Sequence, residues 1–306
     1  MGRKDIAGKA YFSDGKRFAE LMNEHLYHGN RILTAKNLIK REWGYPSLPG
    51  VYGEKERDIL MEDVVQKIYY GMELETASDH SMPERIMVYD ACEYERQIRA
   101  ICRSHHERKE YKNFYEKKSR MIEEDYLLPT VTVVLYLGEG HWQGRTRLSE
   151  LFGISEQNRK QLGMRLHEYD FLLIEADYVN AEIYQTDLRQ FFQAMQCRKD
   201  RKKLRDLLRA DDFAHLAPET ELAIATHLQV RKLVNKMRRE EMSMCKAFDD
   251  LMKEERRNGK IEGRREAEKK IRKKIIKKMY RKGMEETLIR EITECTKKEF
   301  AAAVGR

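Results

Sequence analysis

Residues 67–79, KIYYGMELETASD, alternate Tyr69, Gly71, Glu73 and Glu75 with Ile68, Tyr70, Met72 and Leu74. A period of two marks a β-strand, in which side chains two apart point the same way. Glu73 and Glu75 therefore leave one face together, beside Gly71, whose missing side chain leaves room for a close approach. Asp58, in the preceding short strand RDILM, joins them if the two strands pair as a hairpin. Carboxylates crowded onto one spot repel one another, and at least one pKa rises. A divalent cation removes that penalty, because Mg²⁺ prefers carboxylate oxygens. Such an ion can polarise a phosphoryl oxygen and acidify a water. The competing reading is a solvated strand face, since glutamates are usually exposed and abundant in so charged a chain.

The elements that must position these residues follow from spacing. A helix is expected from near Ser13 through KRFAELMNEHLYHG, with Phe18, Leu21, Met22 and Leu26 at helical intervals and Gly29 as its stop. Residues 44–57, with two prolines and three glycines, read as a loop and turn. Strands follow at RDILM and at 67–76. Met82-Pro83 opens a long helix, PERIMVYDACEYERQIRAICRSHHERKEY, with Pro83 in the first turn, where its missing N–H costs little. Ile86, Tyr89, Tyr94, Ile98 and Ile101 share one face of it. PTVTVVLYLG (129–138) reads as a fully buried strand, and DFLLIEADYV (170–179) as another. Beyond Val179 the character changes, and the last ninety residues are dense in Lys, Arg and Glu. Strands separated by one long helix, then helices alone, predict an α/β core with a helical C-terminal region. The boundary is placed near residue 200, giving domains 1–200 and 201–306.

Composition narrows the setting. The 306 residues are 37% charged, with a formal net charge of +8. That balance favours a polyanion such as nucleic acid, or else a highly charged helical surface. Cys92, Cys102, Cys197, Cys245 and Cys295 form no CxxC pair, which suits a reducing cytoplasm. No apolar stretch approaches the roughly 20 residues of a membrane span, and the start lacks an apolar signal core, so a cytoplasmic protein without a membrane partner is expected. His25 and His28, and Cys102 with His105 and His106, lack a second ligand pair at zinc spacing. No Gly-rich phosphate loop and no Gly-x-Ser-x-Gly elbow is present.

Segment 259–282 is strongly basic. Ile271, Ile275, Ile276 and Met279 form an apolar stripe, with Lys269, Lys270, Lys273, Lys274, Lys277 and Lys278 as the candidate phosphate contacts. Two readings stand: a surface that neutralises phosphates, or a solvated face on a helix that packs or pairs, even between two copies, through its stripe. Gly283 can end that helix. EETLIREIT makes a short helix, and TKKE (296–299) is a capping-box signature opening another. The pair has the form of a helix-turn-helix end, without a glycine at its ECT turn.

The order of segments adds a further expectation. ERDIL (56–60), YYGMELET (69–76), MPERIMVYDACEYERQI (82–98), LLPTVTVVLYLG (127–138), WQGRTRLSELF (142–152) and DFLLIEADYV occur in series. Together they resemble the bacterial Rpn family of recombination-promoting nucleases and transposases, in the PD-(D/E)XK phosphodiesterase superfamily, over roughly residues 13–195. KKMYRKGMEETLIREITECTKKEF resembles that family's C-terminal segment. The resemblance implies a restriction-endonuclease-like mixed central sheet flanked by helices, with Asp58 and Glu73 as ligands of a catalytic Mg²⁺ or Mn²⁺. At the third position the family has Gln or Lys, whereas Glu75 stands here. A lysine would offset developing negative charge, which a carboxylate cannot do. Glu75 is thus a general base, an additional ligand, or the sign of a site that binds without cutting. Glu20 matches a helix-one glutamate found near the metal in the superfamily, against a solvated alternative. Arg85 either replaces the missing charge or satisfies its own neighbourhood together with Asp90.

The expectation is a metal-dependent DNA endonuclease, linked by its resemblance to recombination or transposition. Asp58, Glu73 and Glu75 form its site, and the basic tail grips the DNA backbone. The rival is a nuclease-fold module that binds DNA or a partner without cleavage.

Overall fold

The computed structural model describes residues 3–41, 57–228 and 244–305. The loop expected at 44–57 lies outside them except for Arg57. Two compact units are present, Met1–Met244 and Cys245–Arg306.

In the first unit, Asp14 caps the second helix: its carboxylate accepts from Lys16 N at 3.0 Å and Arg17 N at 3.1 Å. That helix, α2 (Gly15–Leu26), buries Phe18, Leu21 and Met22 as their spacing predicts. Gly29 follows its end with φ +82°, a conformation that favours glycine. A helix not anticipated from the sequence, α1 (Arg3–Phe12), precedes it. Its aromatic residues, Tyr11 and Phe12, sit at one end and form no periodic stripe with the exposed Ile6, yet both are fully buried. Gly8 makes its close packing feasible, since a Cβ there would stand 3.1 Å from Leu74 Cδ1 and 3.2 Å from His227.

The sheet has five strands in sequence order: β1 (Leu38–Lys40), β2 (Ile59–Asp63), β3 (Ile68–Glu75), β4 (Thr130–Tyr136) and β5 (Leu172–Glu175). β1, β2 and β3 form an antiparallel meander, and β3, β4 and β5 run parallel. The expected α/β core with a mixed sheet is therefore present. A parallel neighbour requires a crossover, supplied between β3 and β4 by α3 (Met82–Arg108). β4 is buried as its β-branched run predicts, while β5 spans only four residues of the expected 170–179.

Helices cover both faces of β3. Tyr69 packs with Leu60 and Tyr89, which turns the Tyr69–Gly71–Glu73–Glu75 face toward α3. On the other face Tyr70 meets Tyr27, hydroxyl to hydroxyl at 2.6 Å, and Leu74 meets α1. The polar face of the alternation is thus interior, not solvated.

Residue 200, the expected boundary, falls inside this first unit, between α6 (Leu188–Cys197) and α7 (Arg201–Leu208). Leu204 and Leu208 of α7 and Ala223 and Ile224 of α9 (Pro218–His227) are buried, and α9 packs on α1 and α6. Apolar faces keep these helices on the core where composition alone marks a change.

The second unit centres on the C-terminal end of the long helix Met244–Arg281. Ile276 packs with Ile289, Cys295, Phe300 and Ala303, joined by Met279. Ile271 and Ile275 remain 57% and 45% exposed, so the apolar stripe is only half used inside the unit. Helices Glu286–Thr293 and Lys297–Val304 follow, and Thr296 with Glu299 closes the expected capping box. The ECT turn needs no glycine because Glu294 itself adopts a left-handed φ of 49°.

Candidate functional site

Asp58 immediately precedes β2, whose register sets Ile59 opposite Met72 and so carries Asp58 to the level of Glu73. Its Oδ2 accepts from Leu74 N at 2.8 Å, and its Oδ1 lies 2.8 Å from Lys9 Nζ of α1. Glu73 is fully buried, and neither of its carboxylate oxygens accepts a hydrogen bond. Burial, reinforced by the neighbouring Asp58 charge, pushes the Glu73 carboxyl up to about 8, against the pull of Arg57 and Arg85. The Asp58 and Glu75 charges both raise Glu73, so each lies within electrostatic reach of it.

Arg85, on the first turns of α3, closes the group. Its Nη1 donates to Glu75 Oε1 at 2.9 Å and to Asp79 Oδ2 at 3.0 Å, and its Nη2 stands 3.6 Å from Glu73 Oε2. Burial raises the Glu75 carboxyl, and Arg85 opposes that shift. The hydroxyl of Tyr89, one turn further along α3, is in hydrogen-bonding contact with Arg85, and burial followed by the Glu73 charge raises its pKa. Arg85 thus pairs with Glu75 and Asp79 and lies beside Glu73, and Asp90 has a different partner.

Asp90 pairs instead with Arg57, whose other terminal nitrogen donates to Thr132 Oγ1 at 2.7 Å. A Cβ on Gly71 would collide with this guanidinium. The space beside Gly71 therefore belongs to Arg57, not to an incoming ligand. Glu20 is committed elsewhere: its carboxylate accepts from Gln185 N, from Thr186 N at 3.0 Å and from Thr186 Oγ1 at 2.5 Å, fastening the turn before α6.

Lys9 and Arg57 were missed by sequence reasoning. Lys9 had no signal, since its helix shows no stripe. Arg57 had one: an arginine abutting the apolar run Ile59–Leu60–Met61 must find a buried partner.

The donor chemistry at Glu73 suits a hard cation. Mg²⁺ is commonly held by one or two carboxylates and keeps several waters, and Glu73 offers two buried oxygens without donors beside a second carboxylate. Among the described residues no group of three or more His, Cys, Asp or Glu side chains is arranged as a metal cage, and Lys9, Arg57 and Arg85 place positive charge next to these carboxylates.

The other candidates resolve as packing. His25 Nε2 lies 2.7 Å from Tyr184 Oη, and burial lowers its pKa to about 4. Cys92, Cys102, Cys197 and Cys295 form no disulfide. Lys269, Lys270, Lys273, Lys274, Lys277 and Lys278 are all exposed on the long helix of the second unit. No described helix is long and apolar enough to cross a membrane. No family model, no curated protein and no solved structure matches this chain.

Proposed function

We propose that this chain is a metal-dependent DNA endonuclease on a restriction-endonuclease-like core, as its resemblance to the Rpn family implies. The observation that carries the reading is Glu73: a buried carboxyl group with no hydrogen-bond donor, set beside Asp58. Burial keeps an uncompensated carboxyl protonated, and a divalent cation would displace that proton. Asp58 and Glu73 would hold Mg²⁺ or Mn²⁺, which when bound supplies polarisation of a phosphoryl oxygen and acidification of water. Glu75, its basicity raised by burial, accepts the proton from the attacking water. Arg85 and Lys9 offset charge on the phosphate, the task that a carboxylate at the third motif position cannot perform. The exposed lysines of the second unit bind the DNA backbone without regard to sequence.

Plasmid nicking in Mg²⁺ or Mn²⁺ tests this. Glu73→Gln and Asp58→Asn are each expected to lower the rate by at least about a hundredfold, the upper end of what even outer partners of a metal site contribute. Cleavage retained in both variants overturns the site.

The second reading is a nuclease-fold module that binds DNA without cutting it, and the ion pairs of Lys9 with Asp58 and Arg85 with Glu75 favour it, because the chain's own cations already neutralise these carboxylates. It requires DNA binding with no cleavage under any divalent metal.

A further inference from the structure

The connection from α3 to β4 carries features the carboxylate site does not use. Its short helix α4 (Phe114–Ser119) holds Phe114 at 71% and Tyr115 at 79% exposure, their ring centroids 6.1 Å apart and edge to face. Single exposed aromatics are ordinary. Two adjacent ones on a turn fastened at both ends are not. Asn113 Oδ1 accepts from Glu116 N at 3.0 Å, and the Glu116 carboxylate accepts from Lys112 N at 2.6 Å and Asn113 Nδ2 at 2.7 Å. Arg120, at φ 66°, closes the other end by donating its N–H to Glu116 O at 2.8 Å. Further out, the His105 ring lies between Glu110 at 2.5 Å and Asp125 at 2.9 Å, so one imidazole ties both ends of the connection to α3.

Charge accompanies the rings. Helix positions three and four apart are neighbours, which sets Lys117 and Lys118 one turn from Phe114, and Lys118 one turn from Tyr115. Lys112, Lys117 and Lys118 are exposed and have no carboxylate at ion-pair distance among the described residues. The acid among them, Glu116, is turned inward as a cap.

We infer that Phe114 and Tyr115, flanked by Lys112, Lys117 and Lys118, are a stacking surface for an unpaired nucleic-acid strand. Every base has a π-face that stacks on an aromatic ring, and the lysines one turn away meet the phosphates between stacked bases. A duplex hides those faces. The cations favour a polyanion over an apolar protein partner. Tyr126, though 81% exposed, takes no part, because Glu123 and Glu124 precede it and repel phosphate. The surface rests on the proposed phosphodiester reading and deepens it by adding an unpaired strand to the duplex that the exposed lysines would bind; its ability to bind does not depend on the carboxylates.

The test uses the full chain in EDTA, where no metal-dependent cleavage interferes. Fluorescence anisotropy compares a short labelled oligothymidylate with a duplex of the same length, and 5-iododeoxyuridine cross-linking maps the contact. Phe114→Ala/Tyr115→Ala is expected to weaken oligothymidylate binding about tenfold or more, from about 1–3 kcal/mol per stacked base, and to leave duplex binding unchanged. Tyr126→Ala leaves both unchanged, and cross-links fall on the peptide containing Phe114 and Tyr115. Equal oligothymidylate affinity in wild type and double variant overturns the inference, as do cross-links confined to residues 269–278. Failure of the endonuclease reading registers separately, as intact binding with no cleavage once Mg²⁺ is restored.

Discussion

Glu73 ties stability to pH through one carboxyl. Its folded pKa of about 8 stands above the ordinary 4.5, so the native state holds a proton that the unfolded chain has already released. Stability from this group is therefore fully present below about pH 4.5 and is lost as pH rises toward 8. Glu73→Gln removes the dependence. Thermal melts should show the variant gaining on wild type between pH 5 and pH 8.5, and Mn²⁺ should raise the wild-type melting temperature while leaving the variant unmoved. Arg57 offers a second test at this scale. Its side chain is fully buried against Asp90, so Arg57→Ala strands a charge in the interior. The expected loss is about 3–5 kcal/mol, read from the urea midpoint at constant slope.

At the scale of elements, α3 does two jobs. Its first turns aim Arg85 and Tyr89 at the β3 carboxylates, and its last turn supplies His105 to the connection that follows. The hydrogen bonds to Glu110 and then to Asp125 raise the His105 pKa above 6.5. A raised histidine contributes stability that is present below the unfolded pKa and lost as pH rises through the folded one. Tyr111, whose hydroxyl lies 3.5 Å from Cys102 O and 3.3 Å from Arg120 O, and Arg120, 3.9 Å from Glu95, face the same region. Amide exchange across residues 110–125 should therefore accelerate as pH climbs past that value, after correction for intrinsic rates, and His105→Gln should abolish the change. Uniform protection at all pH values would exclude the tie. In the second unit, Glu294 sits at φ 49°, where a side chain is strained. Glu294→Gly should stabilise that unit by roughly 0.5–1 kcal/mol, seen as a higher melting temperature for its transition.

For the whole molecule, charge sets the regime. A net +8 with six exposed lysines on one helix predicts duplex binding that falls steeply with salt. Replacing Lys269, Lys270, Lys273, Lys274, Lys277 and Lys278 with glutamine should flatten the slope of log affinity against log salt by about 0.9 per lost phosphate contact. An unchanged slope would assign these lysines to solvation. Since the lysines belong to the second unit and the carboxylates to the first, Glu73→Gln should leave that slope intact.

Local rules made much of the architecture legible. Alternation through 67–76, the helix starting near Ser13, Pro83 opening α3, the β-branched run of β4 and the Thr296–Glu299 capping box each act over a few residues, and each is found where it was read. The hairpin pairing that brings Asp58 level with Glu73 was legible because strand period and hairpin pairing are themselves local. What the chain alone left open was which side of β3 would be covered. Burial of Glu73 follows from α3 lying across that face, and the charges that answer Glu73 and Asp58 come from Arg57, from Arg85 on α3 and from Lys9 on α1, far apart in sequence. The same long-range packing gave the space beside Gly71 to Arg57, Glu20 to the turn before α6, and the helices α7 and α9 to the first unit. Sequence determines periodicity, caps and turns because those energies depend on near neighbours; partner choice among buried charges depends on which surfaces meet, and only the tertiary structure decides that.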